Sequence, residues 1–145
     1  MAQIVAQADK GLLPGRGIMV FMKNKAPTPA ITVFGIPNCD TVKKARLWLQ
    51  DQGLAYHFHD FKKDGVPPDA LARWMLAVGW EVLLNRKGTT WRKLDAALQV
   101  SVSDAASAAA LMQTQASVIK RPVVQWPDGH ITVGFTPERF ASLLP

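Results

Sequence analysis

Cysteine is nearly absent from this sequence: Cys39 is the only one in 145 residues. A single thiol excludes an intramolecular disulfide and any multi-cysteine metal site, and leaves only thiol chemistry that a second molecule completes. Long apolar runs are absent too. None approaches the roughly 20 residues of a membrane-spanning helix, and Gly17 to Met22 is shorter than the apolar region of about 7 to 15 residues in a signal peptide. No membrane contact is expected, and the expected location is cytoplasmic. There is no internal repeat, and no low-complexity segment beyond the alanine run at Ala105 to Ala110. With 48% hydrophobic and 19% charged residues, the composition is that of one compact globular domain, too short for two.

Acidic residues are also outnumbered, 11 against 17 lysines and arginines, for a formal charge of +6. Such an excess invites a nucleic-acid partner, so its distribution matters more than its sum. Residues 1–30 carry Lys10, Arg16, Lys23 and Lys25 against Asp9, half of the excess. The rest of the chain is only mildly basic, its short cationic doublets separated by apolar stretches and best read as solvated faces. No nucleic-acid partner is expected.

Residues 1–29 mix Gly11, Pro14, Gly15, Gly17, Pro27 and Pro29 without a sustained period, and read as a flexible extension with room for a short strand around Ile18 to Phe21. From Ala30 the pattern sharpens into a domain spanning 30–145. Ile31 to Gly35 predicts a strand that Pro37 and Asn38 break. Val42, Ala45, Trp48 and Leu49 then recur at helical spacing, with Gly53 as the stop. Ala55 to Phe61 predicts a second strand, so the start is β-α-β, with parallel strands and a right-handed crossover. Residues 66–116 read as a helical block: a helix opened by Pro67 and Pro68 and carrying Leu71, Trp74, Met75 and Val78, a short apolar segment from Trp80 to Leu84, a helix starting at Thr90 with Leu94, Ala97 and Leu98, and an alanine-rich helix to Met112 capped by Ser103 or Asp104. Val123 to Trp126, the turn Pro127-Asp128-Gly129-His130 and Ile131 to Phe135 predict a hairpin. Thr136-Pro137-Glu138 has the capping hydroxyl, proline and carboxylate of a helix start. The order is β-α-β, helical insertion, β-β-α, an α/β fold.

Cys39 lies where the first strand gives way to the first helix. A free thiol, of pKa about 8.5, is only slightly ionised at neutral pH, and the thiolate is the nucleophile. The orphan amides and positive dipole end of a helix N-terminus favour the anion, as does Lys43 one turn on, while Asp40 opposes it. A lone cysteine without that context reads as a small buried hydrophobe. In the strand-to-helix loop of a β-α-β unit, at the carboxyl ends of the strands where ligands bind, the nucleophilic reading prevails.

Other features have structural readings. His57 and His59 alternate along one strand and point to one face, but no third ligand is in reach by sequence, and no metal is expected. His130 falls in a turn. Trp74, Trp80, Trp91 and Trp126 suit packing better than base stacking. The stretch Asn85 to Leu94, "NRKGTTWRKL", has no phosphate-loop spacing, which leaves Arg86 as a candidate for the rim of the site.

Taken in order, "GIPNCDTVKKARLWL", "YHFHDFKKDG", "VGWEVLLNRKGTTWRKLD", "SDAASAAALM", "IKRPVVQWPDGHITVGF" and "TPERF" resemble the ArsC-like branch of the thioredoxin fold, most closely the YffB-type members of the Spx/MgsR group. The resemblance implies a thioredoxin-like fold with a mixed four-stranded sheet and a helical insertion. It implies Cys39 as the nucleophile, Arg121 as an anion or substrate-carboxylate ligand and Pro122 as a cis-proline beside the sulfur; with Arg86, Asn38 and Lys43 these make the candidate anion- and substrate-binding set. Arsenate reductases of this family place three arginines around the cysteine. Here Arg86 and Arg121 stand at two of those positions and Phe135 at the third, which removes a charge-assisted contact worth about 1.5 to 3 kcal/mol. Spx-type regulators carry Cys-x-x-Cys; here Val42 takes the second cysteine's place. The function expected from the resemblance is glutathione-dependent thiol-disulfide reduction by one cysteine, with no bound cofactor, glutathione as co-substrate, glutaredoxin as a further partner, and a disulfide or oxyanion as substrate. The alternatives are an arsenate reductase coupled to glutathione and glutaredoxin, and an Spx-like regulatory protein that binds RNA polymerase without turnover.

Overall fold

A computed structural model describes residues 31–144 of the chain; the predicted extension at 1–29 lies outside the described residues. The first strand, β1 (Ile31–Gly35), runs into helix α1 (Asp40–Asp51) and then strand β2 (Tyr56–Asp60). Strands β1 and β2 pair in parallel, Ile31 opposite Tyr56 and Gly35 opposite Asp60. Gly53, at φ 71°, releases the chain from α1, a backbone angle that favours glycine.

The second strand is one residue shorter than its sequence pattern at its end, because Asp60 turns the chain. Its carboxylate accepts the Lys62 amide at 2.9 Å and opens a short helix, α2 (Phe61–Asp64). The insertion follows: α3 (Pro68–Val78), α4 (Trp80–Leu83), α5 (Thr89–Arg92), α6 (Ala96–Ser101), α7 (Ala105–Thr114) and a 3-10 turn at Ala116–Val118. The single helix predicted from Thr90 through Leu98 is two. The Lys93 and Leu94 amides close α5 onto Thr89 and Trp91, and Asp95 takes an extended backbone at ψ 138°. The Gln99 side chain then donates to the Trp91 carbonyl at 2.7 Å, pinning α6 across the end of α5. Leu98, assigned inward by periodicity, is accordingly exposed. Of the two candidate caps for α7, Asp104 is the one used, in a reciprocal capping box with Ser107.

Strands β3 (Val123–Gln125) and β4 (Ile131–Val133) complete a four-stranded sheet of order β2-β1-β3-β4, antiparallel between β1 and β3 and between β3 and β4. Helix α8 (Pro137–Ala141) ends the described chain, capped by the Thr136 hydroxyl, which accepts the Arg139 amide at 3.1 Å. This is an α/β thioredoxin-like fold with a mixed sheet.

Alternation along β1 and β3 divides the core between the two faces of the sheet. Ile31, Val33 and Val124 pack with Ala45 and Leu49 of α1, Phe140 of α8, and Trp126. Phe34, Ile36 and Val123 pack with Trp74, Leu83, Met112 and Ile119 of the insertion. Because β3 is antiparallel to β1, the amino end of β3 and the carboxyl ends of β1 and β2 share one end of the sheet. The loops that carry Cys39 and Arg121 open there.

Candidate functional site

The strand-to-helix loop is short and tightly bonded. The Cys39 amide donates to the Ile36 carbonyl at 3.2 Å, closing a turn over Pro37 and Asn38, and the Cys39 carbonyl accepts the Lys43 amide at 2.9 Å, the first bond of α1. Cys39 is therefore the N-cap residue, with an extended backbone at φ −95° and ψ 126°. An N-cap side chain sits beside the free amides of the first helical turn; the Cys39 thiol there is half-buried and makes no capping hydrogen bond. Burial of the sulfur pushes its pKa up. Together the Val42 amide, the Arg121 guanidinium and the Thr41 amide outweigh that effect, so that the thiol ionises below its ordinary value.

Arg121 is delivered by the other side of the site. The Leu84 to Ile119 antiparallel bridge, with the Asn85 amide donating to Val118 and the Lys120 amide to Leu83, each at 2.7 Å, ties the α4–α5 loop to the approach to β3. Arg121 Nη1 donates to the Ser117 carbonyl at 2.8 Å and to Ile119 at 3.4 Å, which holds the guanidinium against its own segment. Its Nε is buried with no hydrogen-bond partner among the described residues. The Arg121–Pro122 peptide bond is cis, as the sequence resemblance implies, and the Pro122 carbonyl accepts the Gly134 amide at 2.8 Å.

The remaining candidates divide. Asn38 is exposed in the turn next to Cys39. Lys43 is exposed on α1 and lines a shallow hollow with Arg46, Leu47 and Gln50; the cation that acts on the sulfur is Arg121. The Arg86 guanidinium lies over the Trp80 and Trp91 rings, 5.3 and 5.9 Å from their centroids, two cation-π contacts within the insertion. Its segment reaches the site through the Leu84 to Ile119 bridge. Phe135 packs edge-on against Phe140 at 4.8 Å, so the position that carries a third arginine in arsenate reductases points an aromatic ring at the core.

Val42 is fully buried and closes against Gly35, where an added Cβ would stand 2.8 Å from Val42 Cγ2. In the sequence, Gly35 marks only the last residue of a strand. A glycine at the end of a β-branched run, facing a helix start, is the signal that marks such a close approach. Ser117 left no signal, since the carbonyl that anchors Arg121 depends on how the insertion folds back. The histidine pair of β2 is used locally: His59 Nε2 donates to the Gly65 carbonyl at 2.7 Å and its ring packs 5.0 Å from Phe34, while His57 is exposed. No group of three or more metal-ligating side chains occurs among the described residues.

The sequence profile of the ArsC family matches residues 34–143. Among solved structures, a YFFB protein is 45% identical, with a TM-score of 0.74, covering 80% of this chain and all of that one. An arsenate reductase (ArsC) related protein from Brucella melitensis is 48% identical, with a TM-score of 0.63, covering 81% of this chain and 97% of its own. More distantly, the global transcriptional regulator Spx of Streptococcus mutans is 24% identical over 118 residues, 79% of this chain and 83% of that protein.

Proposed function

The chain belongs to the ArsC family, and from that premise we propose that it is a glutathione-dependent thiol-disulfide reductase working through Cys39 alone. One observation carries the reading: Cys39 is the half-buried N-cap residue of α1, where the Val42 and Thr41 amides and the Arg121 guanidinium favour its anion. The Cys39 thiolate attacks one sulfur of a disulfide, that S–S bond breaks, and the departing thiolate takes a proton from water. Chemistry then stops on the enzyme, because Val42 stands where a resolving cysteine would be and no other cysteine exists. Glutathione, entering as its thiolate, displaces Cys39 and forms a mixed disulfide with the substrate's sulfur; a second glutathione thiolate releases that sulfur as its thiol and leaves as glutathione disulfide, so the electron pair that reduced the substrate comes from the glutathione pool. In this reading Arg121 holds the thiolate form and a carboxylate of the incoming molecule, and Pro122, Asn38, Lys43 and Arg86 are the further candidates for contact with it.

Phe135, packed into the core, leaves an oxyanion one guanidinium short, which favours a disulfide over arsenate. The test is glutathione-coupled disulfide reduction by the wild type and by Cys39→Ser. Activity lost in Cys39→Ser is the expected result, and equal activity in the two overturns the proposal. The likeness to Spx supports a second reading, a regulatory protein that engages RNA polymerase without turnover. A pull-down that retains polymerase equally with the wild type and Cys39→Ser would favour it.

A further inference from the structure

Two stretches of chain that meet beside Arg121 carry cations and no acid. Residues 82–94 hold Arg86, Lys87, Arg92 and Lys93 between Glu81 and Asp95; residues 105–127 hold Lys120 and Arg121 between Asp104 and Asp128. The Leu84 to Ile119 bridge joins the two, and Arg92 Nη1 donates to the Lys87 carbonyl at 2.8 Å, folding the far end of the first stretch back onto its start. Among the described residues the one ion pair is His130 with Asp128, at 2.7 Å, so none of these six cations is neutralised there by a carboxylate. The other flank of the thiol is nearly balanced: Asp40 and Asp51 accompany Lys43, Lys44 and Arg46 on α1, and Asp60 and Asp64 accompany Lys62 and Lys63 around α2.

Resting on the reading of Cys39 as nucleophile, we infer that the insertion flank is a docking surface for an acidic polypeptide segment that presents the disulfide to be reduced. Arg86, Lys87, Arg92, Lys93 and Lys120 are exposed and spread over two chain segments. That arrangement suits several carboxylates set along an extended chain, where one small anion would need convergent donors. Arg86, resting over Trp80 and Trp91, loses less freedom on binding than a lysine swinging in water. A nucleic acid would match the charge, but it offers no disulfide to a thiolate on the same flank. Clefts lined by one sign of charge raise association rates by roughly 10 to 10³, steeply dependent on salt.

The test uses three peptides of matched length, each with one cysteine joined to glutathione by a disulfide and flanked by glutamates, glutamines or lysines. Cys39 thiolate attacks the glutathione sulfur, the peptide leaves as its thiol, and Cys39 is left glutathionylated until free glutathione restores it. Peptide release is followed by mass spectrometry at low and high salt. At low salt the glutamate peptide is expected to react about tenfold faster than the glutamine peptide and the lysine peptide slower still, with the spread collapsing at high salt. In Lys87→Glu/Lys120→Glu the glutamate-to-glutamine ratio falls to one or below. In Lys44→Glu/Lys63→Glu, the same charge change on the balanced flank, the preference for glutamate persists. Equal, measurable rates for the three peptides overturn the docking surface and leave Cys39 as nucleophile standing; no reaction with any peptide overturns both. A single-stranded oligonucleotide that suppressed the glutamine and glutamate peptides alike would assign the surface to nucleic acid and overturn the inference too.

Discussion

At the scale of single residues, the site is a competition around one sulfur. Burial opposes ionisation of Cys39, and two amides and one guanidinium win. Replacing Arg121 with glutamine removes the only cation among those causes. The expected outcome is a thiol that alkylates at a higher pH than in the wild type, measured as the rate of iodoacetamide reaction against pH. The same shift has a consequence for stability. A thiol whose folded pKa lies below its unfolded pKa stabilises the fold fully above the unfolded value, and that contribution disappears as pH falls through the folded pKa. Between those two pKa values the wild type is therefore expected to gain stability with rising pH relative to Cys39→Ser, read from parallel chemical denaturation series; a constant difference across the window would contradict it. Cys39 itself, its place at a helix start and the absence of a partner at Val42 were legible in the sequence. The identity of the acting cation was not legible in the local pattern: Lys43 lies one turn on, and only the family resemblance pointed to Arg121, 82 positions away, whose guanidinium acts on the sulfur while Lys43 stays exposed on α1.

At the scale of elements, the amides reach Cys39 only if α1 starts tightly against β1, and Gly35 permits that. A methyl group added there meets Val42 Cγ2 at 2.8 Å. Gly35→Ala is expected to cost about 1 to 3 kcal/mol, as overpacking does, and to raise the alkylation pKa of Cys39 as the Val42 amide is displaced. Val42→Ala in the same chain should recover much of both; a stability loss without any change in thiol pKa would show that Gly35 does not position the amide. At the other end of the chain, Thr136→Ala removes the cap of α8 and is expected to cost about 1 kcal/mol in denaturant midpoint. Helices α1, α3 and α7 were legible because each combines a periodic apolar face or a start signal with enough length, and the five-residue α8 because Thr136-Pro137-Glu138 marks its start. The region of α5 and α6 was not, since Thr90 to Leu98 reads as one period, and what divides it is the closure of α5 by the Lys93 and Leu94 amides, the Asp95 backbone and the Gln99 contact to Trp91.

At the scale of the whole molecule, the sheet separates two cores, and α8 is held by one of them. Phe140 is fully buried, with edge-on contacts to Trp48, Trp126 and Phe135 at 5.6, 4.9 and 4.8 Å. Phe140→Ala is expected to cost about 3 to 5 kcal/mol, a large part of the roughly 5 to 15 kcal/mol that stabilises an ordinary domain. Its thermal midpoint should fall well below that of Thr136→Ala. The insertion contributes through its own core and through the Leu84 to Ile119 bridge, which brings the Arg86 and Arg121 segments to the end of the sheet where Cys39 opens.

Local signals determined the order of elements, the α/β class, the parallel β1–β2 pair and the position of the sole thiol at a helix start, because hydrophobic period, turn chemistry and capping act within a few residues of one another. Tertiary structure alone decided which charge serves that thiol, that Phe135 turns to the core, that Gly35 lets α1 close on β1, and that the cations of the insertion gather on one flank. Each of those depends on segments far apart in the chain, brought together by burial on the two faces of a sheet, and no local pattern encodes that meeting.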